Sequence, residues 1–194
     1  MTIVRKEDVV GSNVGSTRFR EAVWLTINLH EGGFSDDARD PGGKTRYGIT
    51  ERVARDNGYN GPMRELPLFK ALEIYFDVYW RPMRLMQMES YAVSAELFDT
   101  AVNIGRTGAT KVAQDAINLL NRREGRPLVA RDGLMGPRTA GELDWWTHKD
   151  HLALLAALNG YQFVYYLDIL KNNPSLIFAI RSWLRRTLDY SREI

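Results

Sequence analysis

The sequence predicts an all-α fold, helical throughout with one small β-hairpin. Three observations predict it. Apolar residues recur at helical spacing along most of the chain. Capping residues, prolines and glycines cut that pattern into separate helices. Strand signals are confined to about residues 44–49.

The elements follow in order. Residues 1–16 end in Gly11-Ser12-Asn13-Val14-Gly15-Ser16 and read as a flexible N-terminal arm. Phe19, Ala22, Val23, Ile27 and His30 share one face, which predicts a helix over 17–31. Thr50 caps a short helix to about Asn57, stopped at Gly58. Asn60-Gly61-Pro62 is a turn. Pro67 opens a helix with Leu68, Leu72, Tyr75, Phe76 and Tyr79 on one face, ended by Arg81-Pro82. Ser90 caps the next, with Val93, Leu97, Ala101 and Ile104 inward and Gly105 at its end. Thr107 starts another, through Val112, Ala113, Ala116, Leu119 and Leu120, closing near Gly125. Asp132-Gly133 is a turn and Pro137 opens a helix to about Thr147. A long apolar helix covers 150–172. Asn173-Pro174 breaks it, and Ser175 caps a last helix with Leu176, Ile180, Trp183, Leu184 and Leu188.

Composition bounds the chemistry. At 194 residues, 44% hydrophobic and 26% charged, the chain builds a core and one compact domain is expected. It has no cysteine, which excludes disulfides and thiol catalysis. A net charge of +2 is too small to argue nucleic-acid binding. The charged N-terminus lacks the apolar run of a signal peptide. His148 and His151 are three apart on a helix, but no third ligand is near, so no metal is expected, and no cofactor.

The chemistry concentrates in residues 30–50. Gly32-Gly33 close the first long helix, so Glu31 sits at the negative end of its dipole. That placement, and burial in a cleft, raise a carboxyl pKa, as a general acid requires. Asp40 precedes Pro41-Gly42-Gly43 on a polar turn that keeps it ionised; Asp36 and Asp37 are near enough to serve instead. One protonated and one ionised carboxyl are what glycoside hydrolysis needs.

Glu31-Gly32-Gly33-Phe34, Asp40-Pro41-Gly42-Gly43 and Thr45-Arg46-Tyr47-Gly48-Ile49-Thr50 resemble the signature of glycoside hydrolase family 108, the N-acetylmuramidases of phage endolysins and related bacterial proteins. The likeness continues through 97–105 (Leu97-Phe98-Asp99 to Asn103-Ile104-Gly105) and through 132–139 (Asp132-Gly133 to Arg138-Thr139), and covers most of residues 17–145. Phe34 and Arg46 stand where the family usually has Tyr and Asn, and the second change bears on a substrate contact. The spacing of Glu31, Asp40 and Thr45 also resembles that of phage-type lysozymes.

The resemblance implies a lysozyme-like fold and cleavage of the β-1,4 bond between N-acetylmuramic acid and N-acetylglucosamine. It implies Glu31 as general acid, Asp40 and Thr45 orienting the water, and substrate contacts from Tyr47 and Asn103. Likeness to phage-type lysozymes suggests inversion. A lytic transglycosylase and a non-catalytic wall-binding protein are the competing readings. The implied organisation is an arm over 1–16, a catalytic region over 17–105, and over 106–194 a helical region resembling a peptidoglycan-binding segment. Peptidoglycan is the expected partner and a monomer the expected state. An endolysin would wait in the host cytoplasm for a holin, then act on the wall from the periplasm. Arg181, Arg185, Arg186 and Arg192 edge an apolar stripe on the last helix, which suggests weak membrane contact.

Overall fold

The structure is a computed structural model that describes residues 4–29, 33–36 and 43–189. The chain divides into two compact units, Met1–Arg81 and Pro82–Ile194. Helices dominate both, and the all-α, lysozyme-like expectation holds. The sheet has three strands, one more than the hairpin read from sequence.

In the first unit, α1 (Lys6–Val10) precedes α2 (Thr17–Leu29). The expected loose arm is therefore corrected over residues 6–10. They form a helical turn on α2 whose Val9 is fully buried, fastened at its start by Arg5–Asp8 contacts of 3.0–3.1 Å. A single buried valine among charges left little signal in the sequence. On α2, the predicted inward residues Phe19, Ala22, Val23 and Ile27 are all buried.

Strands β1 (Phe34–Ser35), β2 (Thr45–Arg46) and β3 (Ile49–Thr50) follow, then α3 (Glu51–Asp56). Thr50 caps α3, its Oγ1 accepting from the Val53 N–H at 3.3 Å. The next helix, α4 (Leu68–Ile74), widens into a π-helical stretch, Tyr75–Trp80. The Arg81 N–H donates to the Phe76 carbonyl five residues back, at 2.9 Å. The wider winding brings Tyr75 and Trp80, five apart, onto one buried face. An α-helix would set them about 140° apart. Trp80 and Phe76 meet Phe19 edge-on, at 5.4 and 5.2 Å between ring centroids. Trp80 is thus a packing residue.

The second unit is built on α5 (Tyr91–Glu124) and α6 (Pro137–Asn172), packed along each other, with α7 (Ile180–Asp189) against α6. Both long helices break where the sequence expected. Gly105, at φ 79° and ψ 156°, interrupts α5 in a conformation that a side chain disfavours. Asp150 leaves helical geometry in α6 and caps the second half, accepting from the Ala153 N–H at 3.0 Å. Ser90 caps α5, as read.

Three details differ from the pattern read in the sequence. Leu119 is 47% exposed and Ile117 takes the core position, because the inward arc after the Gly105 break runs through Val112, Ala113, Ala116 and Ile117. Ser175 caps no helix. It lies inside a 3₁₀ turn, Pro174–Ala179, and its hydroxyl donates to Asn173. Arg186 is not on a basic surface but buried, donating to Asp99 Oδ1 at 2.8 Å. A buried carboxylate draws its counter-ion inward.

Candidate active site

The site assembles on the small sheet. β1 and β2 pair antiparallel, with Phe34 opposite Arg46 and Ser35 opposite Thr45. β2 and β3 do the same, with Thr45 opposite Thr50 and Arg46 opposite Ile49. Cross-strand partners share a face, so Ser35, Thr45 and Thr50 form a hydroxyl row on one side of the sheet. Phe34, Arg46 and Ile49 occupy the other.

The two-residue turn between β2 and β3 is Tyr47-Gly48, at φ 54° and φ 77°. Two positive φ values in a two-residue loop are the mark of a type I′ hairpin, whose twist matches that of its strands. Glycine adopts this readily; tyrosine does so at a cost. The offsetting interactions are visible. The Tyr75 hydroxyl, fully buried, donates to the Tyr47 carbonyl. The Arg46 guanidinium lies 4.9 Å from the Tyr47 ring centroid and donates to its hydroxyl at 3.1 Å. Tyr47 is 7% exposed, so it pins the hairpin and presents no open ring for stacking.

Beside the sheet lies a cleft of about 370 Å³, lined by Phe34, Asp36, Lys44, Glu51, Arg55 and Arg64 with Pro62 and Met63. Arg64 stands over the Phe34 ring at 4.3 Å. Glu51 and Arg55 pair at 2.7 Å, and Arg55 also donates to the Tyr59 and Gly61 carbonyls at 2.9 and 2.6 Å, which fixes the 59–61 turn that leads into Pro62. Charges of both signs around one aromatic ring suit a polar ligand. The sequence pointed to none of Lys44, Glu51, Arg55 or Arg64, whereas Asp36, the alternative to Asp40, does line the cleft. Their convergence depends on turns that bring distant residues together, so no local spacing marks it.

Of the expected site residues, the structure brings Thr45 and Tyr47 together on the β2–β3 hairpin. Thr45 is half-buried in the sheet. Asn103 is half-buried on α5, in the second unit, two residues before the Gly105 break. Glu31 and Asp40 lie outside the described residues, as does Asp37. In sequence, Glu31 falls two residues after the end of α2, and Asp40 in the connection between β1 and β2.

The carboxyl most raised among the described residues is elsewhere. Burial, then the charge of Asp99, push Glu96 up to about 8. It is 1% exposed inside the second unit, where Thr100 donates to it at 3.2 Å, out of reach of a large substrate. His148 and Glu89 touch at 2.6 Å on the surface of that unit. Among the described residues no group of three or more metal-ligating side chains converges.

Comparison with known proteins agrees with this architecture. The family described as Glycosyl hydrolase 108 matches residues 25–105, from within α2 to the break at Gly105. The Predicted Peptidoglycan domain matches residues 109–188. No curated protein sequence matches the chain. Among solved structures, the fold is similar to the one titled "Structure of Brucella abortus SagA", with a TM-score of 0.67 and 22% identity over 90% of this chain and 95% of that one. Residues 25–105 thus match the glycosyl hydrolase 108 family and residues 109–188 the predicted peptidoglycan domain, a pairing that indicates a glycoside hydrolase acting on peptidoglycan.

Proposed function

We propose that the protein is an N-acetylmuramidase, cleaving the β-1,4 bond between N-acetylmuramic acid and N-acetylglucosamine. Glu31 protonates the leaving glycosidic oxygen. Asp40 activates a water on the opposite face of the sugar, Thr45 helps hold that water, and the anomeric configuration inverts. Asn103 contacts the glycan. Tyr47 acts through the hairpin it holds rather than by stacking.

The observation that carries this reading is the pairing of β1 with β2. The connection bearing Asp40 leaves and re-enters the sheet at Ser35 and Thr45, which stand opposite one another. Thr45 is therefore fixed at the exit of that connection, and the mixed-charge cleft borders the same strands. A rigid strand pair at the base of a catalytic loop is the preorganisation that general acid–base chemistry relies on. The biological setting that fits best is lysis of a host cell by a phage endolysin, released to the wall by a holin and acting as a monomer.

Mass spectrometry of products from purified peptidoglycan tests the chemistry. Fragments with reducing-end N-acetylmuramic acid are expected from wild type and from neither Glu31→Gln nor Asp40→Asn. Anhydro-muramic products that persist in Asp40→Asn would assign a lytic transglycosylase. Binding of peptidoglycan with no soluble fragment would leave a wall-binding protein.

A further inference from the structure

The end of the second unit, within the stretch that matches the predicted peptidoglycan domain, presents an apolar and cationic surface. Helix α7 is pinned on one side. Arg186 reaches Asp99 at 2.8 Å with both side chains nearly inaccessible, and Trp183 stacks on the buried Tyr166 at 4.9 Å and 13° between planes. At about 100° per residue, those two contacts leave Arg181, Leu184 and Arg185 on the opposite arc. Leu184 is 39% exposed, and neither arginine, both exposed, makes an ion pair among the described residues. The 3₁₀ turn just before α7 presents Ile177 and Phe178 at 60% and 53% exposure. Because Arg186 and Trp183 hold the helix down, these apolar residues cannot rotate inward to escape water.

Single exposed apolar residues are ordinary. An isoleucine, a phenylalanine and a leucine in one short segment, flanked by two guanidinium groups that make no ion pair among the described residues, form the composition of an interfacial element. Residues 174–187 contain no acidic side chain, and the nearest one upstream, Asp168, is engaged by Lys171 at 3.2 Å. The charge of the face is thus cationic, complementary to lipid phosphates. A glycan is the poorer match: Ile177 and Leu184 offer sugar hydroxyls no hydrogen bond. No described helix is long and apolar enough to cross a membrane, so the contact is one that lies on the surface.

We propose that the segment Pro174–Asp189 docks on an anionic phospholipid bilayer. Ile177, Phe178 and Leu184 enter the boundary between headgroups and acyl chains, and Arg181 and Arg185 meet the phosphates. The interaction is independent of the reaction assigned to the first unit.

Co-sedimentation of the full chain with phosphatidylglycerol-containing vesicles, against pure phosphatidylcholine vesicles, is the test. Binding to the anionic vesicles is expected. It should fall about tenfold or more in an Ile177→Ser/Phe178→Ser double variant, and similarly in Arg181→Glu/Arg185→Glu. Thermal unfolding should be that of wild type in both. No binding by wild type, or binding that ignores both variants, would overturn the proposal. A concentration-dependent dimer abolished by the apolar variant would reassign the surface to a second copy of the chain. Peptidoglycan pulldown lost in these variants, with vesicle binding intact, would reassign it to glycan.

Discussion

The buried hydroxyl of Tyr75 donates to the main-chain carbonyl of Tyr47, across 28 residues of sequence. The contact joins the π-helical stretch to the β2–β3 turn. It also explains why the turn's second residue is glycine: a Cβ on Gly48 would lie 2.8 Å from that hydroxyl, at a φ that already disfavours a side chain. Phe76 and Trp80 on the same stretch clamp Phe19 of α2. One irregular helix thus fixes both the sheet that carries Thr45 and helix α2, whose last described residue is Leu29.

Tyr75→Phe should lower stability by about 1–2 kcal/mol, since it leaves the Tyr47 carbonyl without this donor at a strained turn. Gly48→Ala should cost more, because it adds both backbone strain and the clash. The double variant should be less destabilised than the sum of the two, because removing the hydroxyl relieves the contact. Urea unfolding of the four proteins measures the cycle, and strict additivity would show that the hydroxyl and the turn do not interact.

Glu96 makes a prediction with a definite sign. Its folded pKa of about 8 lies above the ordinary value of 4.5, so between those limits the folded chain keeps a proton that the unfolded chain has released. Stability should therefore fall as pH rises across that window, by up to about 1.4 kcal/mol per pH unit. Glu96→Gln keeps an acceptor for Thr100 and removes the titration. Its stability should vary less with pH and exceed that of wild type near the top of the window. An unchanged slope in the variant would assign the pH dependence to other groups.

Much of this fold was legible in the sequence because its punctuation is local. Thr50 and Ser90 cap the helices they were expected to cap, and Gly105 and Gly125 end theirs. The inward face of α2 could be counted off at helical spacing. What was not legible is non-local. The pairing of Arg186 with Asp99 spans 87 residues, and nothing near either one announces it. The π winding at Tyr75–Trp80 shifts one residue of register, which an i, i+3, i+4 pattern cannot register. Of the candidate site, the motif order and the hairpin were readable from residues 31–50. The cleft walls were not, because Arg55 and Arg64 reach it through the 59–63 turns.

Gln114 ties the 132–134 turn to α5. Its side-chain amide donates to Asp132 Oδ1 at 2.8 Å and to the Leu134 carbonyl at 3.2 Å, while its oxygen accepts from the Gly133 N–H at 2.9 Å. Gln114→Ala should cost about 3 kcal/mol, because it strips these hydrogen bonds, and a longer one to Thr139, from a fully buried position. Asp132 is held below the usual carboxylate range by the Leu134 N–H and then by Gln114. That contribution is present above the unfolded pKa and is lost as pH falls through the folded one. Loss of the Gln114 contact should accordingly move the Asp132 midpoint upward in a carboxyl NMR titration, and a fixed midpoint would contradict the pairing.

His148 offers the reverse sign. Its Nδ1–H donates to the Asp144 carbonyl at 2.8 Å, and its Nε2 faces Glu89 at 2.6 Å. Both favour the charged ring, the carbonyl first, and hold its pKa above the ordinary 6.5. The stabilisation is complete below the unfolded pKa and disappears as pH rises through the folded value. An imidazole NMR titration should give a midpoint above 6.5 for wild type. In Glu89→Gln the midpoint should fall but stay elevated, since the carbonyl remains. Because His148 and Glu89 are both largely exposed, added salt should lower the wild-type midpoint and affect the variant less. A midpoint that ignores both the substitution and salt would mean that Glu89 is not a partner of the ring in solution.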